Sequence, residues 1–133
     1  MLTGSCLCGS IKYQLNQEDI DTLFVCHCSR CRKESGSAFN TSAVINSADI
    51  TITEGKDLVK KYSVNGVNRH FCVGCGSRLY SSRDNDPAHY RLRVGLLDTP
   101  INPAKKIHVF TASKASWDEI CDDFPQYPER PPV

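Results

Sequence analysis

Seven of the eight cysteines in this 133-residue chain stand in three tight groups: Cys6-Leu7-Cys8, Cys26-His27-Cys28-Ser29-Arg30-Cys31 and Cys72-Val73-Gly74-Cys75. No other feature restricts the chain so sharply. Pairs as close as Cys6/Cys8 would make small, strained disulfide loops, and in a reducing compartment such groups read as metal ligands. Two thiolates three residues apart grip one ion only where the backbone turns sharply, and Gly74 and Gly76 are expected to supply that freedom. Cys6 and Cys8, at i and i+2, are expected to share one face of an extended segment.

Zinc takes four ligands in structural sites and three plus an open position in catalytic ones. Seven clustered thiols therefore divide as four plus three, and two Zn²⁺ per chain is the cofactor expectation. Spacing alone leaves the division open. Cys28/Cys31 with Cys72/Cys75 would make a two-knuckle ribbon and leave Cys6, Cys8 and Cys26 over. The other division closes one site from Cys6, Cys8, Cys72 and Cys75 and leaves Cys26, Cys28 and Cys31 as an open one, which keeps each local group intact. Cys121 fits no group and is expected as a small apolar residue on a short helix. His27, between two ligands, is not expected to bend back to the same ion.

Charge and hydropathy exclude several classes of partner. Sixteen Lys and Arg against 15 Asp and Glu leave +1. Seven thiolates subtract seven charges and two divalent cations add four, taking that sum to −2, so a nucleic-acid partner is not expected. The longest apolar runs are a few residues, far short of a membrane span. The segment Met1 to Cys6 lacks a basic region followed by an apolar run, so a cytoplasmic location is expected.

The rest of the chain reads as strand. Alternation or β-branched enrichment marks Ser10–Leu15, Leu23–Val25, Ala43–Thr53, Leu58–Val64, His89–Leu96 and Lys106–Thr111, six or so strands in an all-β or nearly all-β domain. Asn65-Gly66 suits a tight hairpin turn, and Asn85-Asp86-Pro87 reads as another turn. Arg91 and Arg93 alternate with Tyr90 and Leu92 and are expected on a solvated face. Ser116-Trp117-Asp118-Glu119 has capping-box form and predicts one short C-terminal helix, with Trp117 as a packing anchor. A single helical turn after Cys28 is a further expectation. Residues 1–124 are expected to form one domain. Residues 125–133, four of nine being proline, are expected as an extended, loosely held tail.

Gly4-Ser5-Cys6-Leu7-Cys8-Gly9, the run Cys26 to Lys33 and Gly36-Ser37-Ala38-Phe39 resemble the glutathione-dependent formaldehyde-activating enzyme family, which also includes centromere protein V. Arg69 to Ser77 and Ser113-Lys114-Ala115-Ser116-Trp117 are similar to its later motifs. The resemblance implies a twisted β-tent zinc fold. It assigns Cys6, Cys8, Cys72 and Cys75 to a structural zinc, and Cys26, Cys28 and Cys31 to a catalytic one. It also implies carbon–sulfur lyase-type chemistry on an adduct of a small thiol, such as glutathione, and an aldehyde, as in S-(hydroxymethyl)glutathione formation. Three thiolates around Zn²⁺ carry a net −1, which Arg30, Arg32 and Lys33 could offset while holding a substrate carboxylate. The rival expectation is a non-catalytic, zinc-stabilised binding module. His70 and His108 read as ordinary strand residues, and Phe39 and Tyr80 as core or cleft-lining aromatics.

Overall fold

The computed structural model describes residues 1–131. Among these residues ten strands and one α-helix make the structure predominantly β, as the alternating patterns dictate. By contact the chain divides into two compact units, one of Met1–Ile20 with Ala43–Asn102, the other of Asp21–Ser42 with the residues from Pro103 on.

The first unit holds two antiparallel systems. Strand β2 (Lys12–Leu15) lies between β1 (Leu2–Ser5) and β5 (Ile50–Glu54). Tyr13 and Leu15 of β2 face inward, with Lys12 and Gln14 outward, the period-2 pattern of a sheet with one buried face. The second system is a meander of β6 (Val59–Val64), β7 (Val67–Cys72), β8 (Arg78–Arg83) and β9 (Asp86–Arg93). Asn65 (φ 52°) and Gly66 (φ 75°) close the β6–β7 hairpin as that pair predicts. Asp86 and Pro87, expected in a turn, begin β9, because the turn closes earlier at Asp84-Asn85. Cys6, Ile11, Cys72 and Leu79 form a buried cluster, with Ile52, Leu58 and Leu96 packed against it. Arg91 and Arg93 are half-buried rather than solvated.

In the second unit β3 (Thr22–Cys26) pairs in parallel with β10 (Lys105–Val109) and antiparallel with the opening of β4 (Asn40–Asn46), whose later residues belong to the first unit. The helix α1 (Ser29–Ser35) follows β3 directly. Cys28 caps it, its Sγ accepting the Cys31 N–H at 3.3 Å, and Gly36 ends it in the left-handed region with its N–H on the Arg32 carbonyl.

The expected C-terminal helix is absent among the described residues. Ser116 and Trp117 form a turn in which the Asp118 N–H donates to the Ala115 carbonyl. The Lys114 ammonium takes the Asp118 carbonyl at 2.5 Å, an acceptor a continuing helix would have needed. Trp117 is 72% exposed and anchors nothing, so no apolar face rewards a helix there, and Cys121 is exposed. The proline-rich segment is extended, but it is tied down. Gln126 bridges His108, the Tyr127 N–H reaches the His108 carbonyl, and the N–H groups of Phe110 and Thr111 donate to Glu129 and Tyr127. Pro132 and Val133 lie outside the described residues.

Candidate metal centres

The structure brings the seven clustered cysteines together as four and three. The sulfurs of Cys6, Cys8, Cys72 and Cys75 all lie within 4.8 Å of one another, and so do those of Cys26, Cys28 and Cys31. Each set falls within one unit of the fold. The ribbon alternative, which would join Cys28/Cys31 to Cys72/Cys75, is not formed.

The four-cysteine set is built from two turns rooted in the buried cluster. Cys6 follows β1, and the Gly9 N–H returns to its carbonyl at 3.0 Å, so Cys6 and Cys8 converge through a turn and not along an extended segment. Cys72 ends β7, with the Gly76 N–H on its carbonyl at 2.8 Å. Gly76 has φ 80° and supplies the sharp turn, whereas Gly74 does not adopt a positive φ. Ser77 joins the two turns. Its Oγ accepts the Leu7 N–H at 2.8 Å and lies 3.3 Å from Cys75 Sγ. Cys6 and Cys8 sulfurs are 3.5 Å apart, and those of Cys8 and Cys72 are 3.9 Å apart. The donor set is acceptor-rich, closed and half inside the core, with Cys6 and Cys72 buried and Cys8 exposed.

Protons are shared unequally in this set. The Ser77 hydroxyl and backbone N–H bring Cys75 down to about 5, and hydrogen bonds from Ser10 lower Cys8. Burial pushes Cys72 up to about 11. A cation among the sulfurs removes that conflict, because it stabilises every thiolate at once.

Cys26 ends β3, Cys28 caps α1 and Cys31 lies in its first turn. This set has three donors, all half-buried. Cys28 is driven far below an ordinary thiol by hydrogen bonds from Cys26 and Cys31, with the backbone N–H groups of Cys31 and Arg30 adding to them. The same sulfur–sulfur bonds keep the protons on Cys31 and Cys26, whose values rise. A thiolate with two thiol donors around it is the arrangement a metal ion would replace. Arg30 and Lys33, at i and i+3 on α1, are exposed, and Arg32 is half-buried.

Three polar residues near this set carry no sequence signal. His27 and His108 are buried, at 0% and 4% exposure, and hydrogen-bond to each other at 2.9 Å. His108 reaches the Asp122 carboxylate at 3.0 Å. The three lie 81 and 14 residues apart, so no local spacing could have paired them. His27 is not among the residues whose ligand atoms cluster. Phe39 packs on the His27 ring at 5.3 Å between centroids, and Tyr80 stacks between His70 and Tyr90. Among the described residues no helix is long and apolar enough to cross a membrane.

The chain is similar to known proteins over most of its length. A protein of Halomonas elongata named "Putative glutathione-dependent formaldehyde-activating enzyme" is 26% identical over 127 residues, covering 90% of this chain and 81% of that protein. A protein of the same printed name from Fusarium vanettenii is 28% identical over 97 residues, covering 71% of this chain. The chain spans 45% of that longer relative. A crystal structure of a Rhodobacter sphaeroides protein superposes with a TM-score of 0.60 at 25% identity, over 76% of this chain and 91% of its own. The family profile described as glutathione-dependent formaldehyde-activating enzyme matches residues 1–113. With both cysteine sets inside that match, this chain belongs to the glutathione-dependent formaldehyde-activating enzyme family.

Proposed function

We propose that the protein is a zinc-dependent carbon–sulfur lyase-type enzyme acting on an adduct of a small, glutathione-like thiol and an aldehyde. Cys6, Cys8, Cys72 and Cys75 hold a structural zinc in this reading, and Cys26, Cys28 and Cys31 a catalytic one. The observation that carries it is the asymmetry of the two sets: one closed with four sulfurs, the other stopping at three. Zinc–sulfur bonds of about 2.3 Å in a tetrahedron place sulfurs about 3.8 Å apart. The 3.5 and 3.9 Å separations at the closed site bracket that value.

Zinc at the three-cysteine site supplies positive charge that favours the thiolate form of an incoming thiol. The chain's own residues do the rest. The turn from β3 into α1 presents the three sulfurs together. Arg30, Arg32 and Lys33 follow on the same helix and would bind the carboxylates of a glutathione-like thiol. In the synthetic direction the thiol sulfur bonds to the aldehyde carbon, the carbonyl π pair becomes an alkoxide, and the thiol proton ends on that oxygen. Nothing is oxidised or reduced. The reverse step breaks the same carbon–sulfur bond.

The test is exchange between formaldehyde and its thiol adduct, followed by two-dimensional NMR exchange spectroscopy. Purified protein with two zincs should speed exchange above the spontaneous rate with glutathione or a related cellular thiol, and Cys28→Ser should abolish the increment. No acceleration across a panel of cellular thiols would refute the reading and leave a zinc-stabilised binding module. Unchanged thiol binding in Arg32→Ala and Lys33→Ala would remove the anion-clamp component alone.

A further inference from the structure

The two Cys-x-Cys pairs treat their middle residue in opposite ways. Leu7, between Cys6 and Cys8, is 86% exposed, while His27, between Cys26 and Cys28, is 0% exposed. Every polar handle of His27 but one is gripped by the segment from His108 onward. Its backbone N–H donates to the Val109 carbonyl at 3.0 Å, and its carbonyl accepts the Ser113 hydroxyl at 3.4 Å. Its Nε2 lies 2.9 Å from Nδ1 of His108. Only Nδ1, buried, has no hydrogen-bond partner among the described residues.

Proton placement along this chain follows from its far end. A carboxylate only accepts, so the proton between His108 and Asp122 sits on His108 Nε2. With a single ring proton, on Nε2, His108 presents a bare Nδ1 that accepts, and this tautomer places the His27 proton on Nε2. Asp122 is itself held by the Phe124 N–H at 3.1 Å, and His108 by backbone bonds to Pro125 and Tyr127. The carboxylate thus sets two tautomers in succession and ends at the peptide that joins Cys26 to Cys28. Asp122 lies beyond residue 113, where the family match stops, whereas His108 lies within it, so only the carboxylate end of this brace falls outside the matched residues.

We propose that Asp122 and His108 are positioning residues for the three-cysteine site, which they keep converged by locking the ring and backbone of His27. The inference rests on the reading that Cys26, Cys28 and Cys31 hold a metal, and it adds to that reading the part that preorganises them. Supporting groups of this kind typically change metal affinity 10–100-fold.

The test uses the full chain loaded with Zn²⁺ and titrated with a chromophoric chelator, the four-cysteine site serving as internal control. Asp122→Ala and His108→Ala should each weaken the three-cysteine site by about 10–100-fold and leave the four-cysteine site unchanged. Asp122→Asn keeps an amide oxygen that accepts from His108 Nε2–H, so its affinity should stay within about threefold of wild type. Imidazole ¹⁵N spectra of the zinc-loaded wild type should report the Nε2–H tautomer for both His27 and His108, a signature general destabilisation does not produce. Unchanged affinity in both alanine variants, or an Nδ1–H tautomer at His108, overturns the inference while the metal reading stands. A wild type that binds no zinc at Cys26, Cys28 and Cys31 refutes the metal reading and this inference with it.

Discussion

Gly4→Ala tests how the four-cysteine site is tied to the sheet beneath it. Gly4 pairs with Tyr13 across β1 and β2, two residues before Cys6. A Cβ there would stand 2.2 Å from Tyr13 Cζ, 2.3 Å from its hydroxyl oxygen and 2.6 Å from Cε1. Carbon–carbon contact needs about 3.5 Å, so the ring tip must retreat by roughly 1.3 Å. Tyr13 is 1% exposed and has nowhere to go without displacing the core. Gly4 does not use a positive φ, so the backbone contributes no strain and the whole effect is steric. Overpacking by a methyl costs about 1–3 kcal/mol. Expelling the ring forfeits about 200 Å² of burial, roughly 5 kcal/mol. The expected loss lies between, at about 3–5 kcal/mol, read by urea unfolding with zinc saturating. In a Tyr13→Leu background, which removes the ring tip, the same substitution should cost less than about 1 kcal/mol, a coupling of about 2 kcal/mol or more. A cost below about 1 kcal/mol in the wild type, or an equal cost in both backgrounds, would refute the reasoning.

Cys72→Ser removes a buried sulfur from the four-cysteine set, and on the proposed division native mass spectrometry should find one zinc per chain in place of two, with the three-cysteine site still loaded. Two zincs in that variant would contradict the four-plus-three division. Ser77→Ala leaves the Leu7 N–H without its acceptor and Cys75 Sγ without its hydroxyl partner. It should weaken zinc at the four-cysteine site by about tenfold in chelator competition, with no change at the other site. His70 is held below its ordinary value by burial and then by Lys61. The unfolded chain therefore binds more protons as pH falls through about 6.5, so the contribution of His70 to stability is complete above that pH and lost below it. Urea unfolding at about pH 7.5 and 5.5 should show a smaller acid loss in His70→Gln than in the wild type, and an equal loss would contradict this assignment.

Much of the local grouping of the thiols was legible because cysteine spacing is local. Turns of two to four residues decide whether Cys6 meets Cys8 or Cys72 meets Cys75, and those turns are written in adjacent residues. Strand identity was legible where one face is apolar and the other polar, as in β2 and β9. Three strands escaped that pattern. The residues of β7 bury Asn68 and Cys72, so its inward face reads as polar. A register shift breaks the pairing of β7 and β8 between His70 and Phe71. In β1 an inward glycine makes room for Tyr13. The capping-box pattern at Ser116 failed for the converse reason: the local signal is present, but no apolar face is buried to stabilise a helix.

By itself the sequence determined that the chain is built of strands and carries three tight groups of thiols with the spacing of metal ligands, because alternation and close spacing act over a few residues. Which groups meet was decided only by the tertiary structure. Cys8 and Cys72 lie 64 residues apart and are joined by the buried cluster and the turns around Ser77. The buried line from Asp122 through His108 to His27 likewise exists only because β3 and β10 lie in parallel register and the proline-rich segment is pinned alongside. Contacts across such separations are set by sheet register and core packing, which no short stretch of residues encodes.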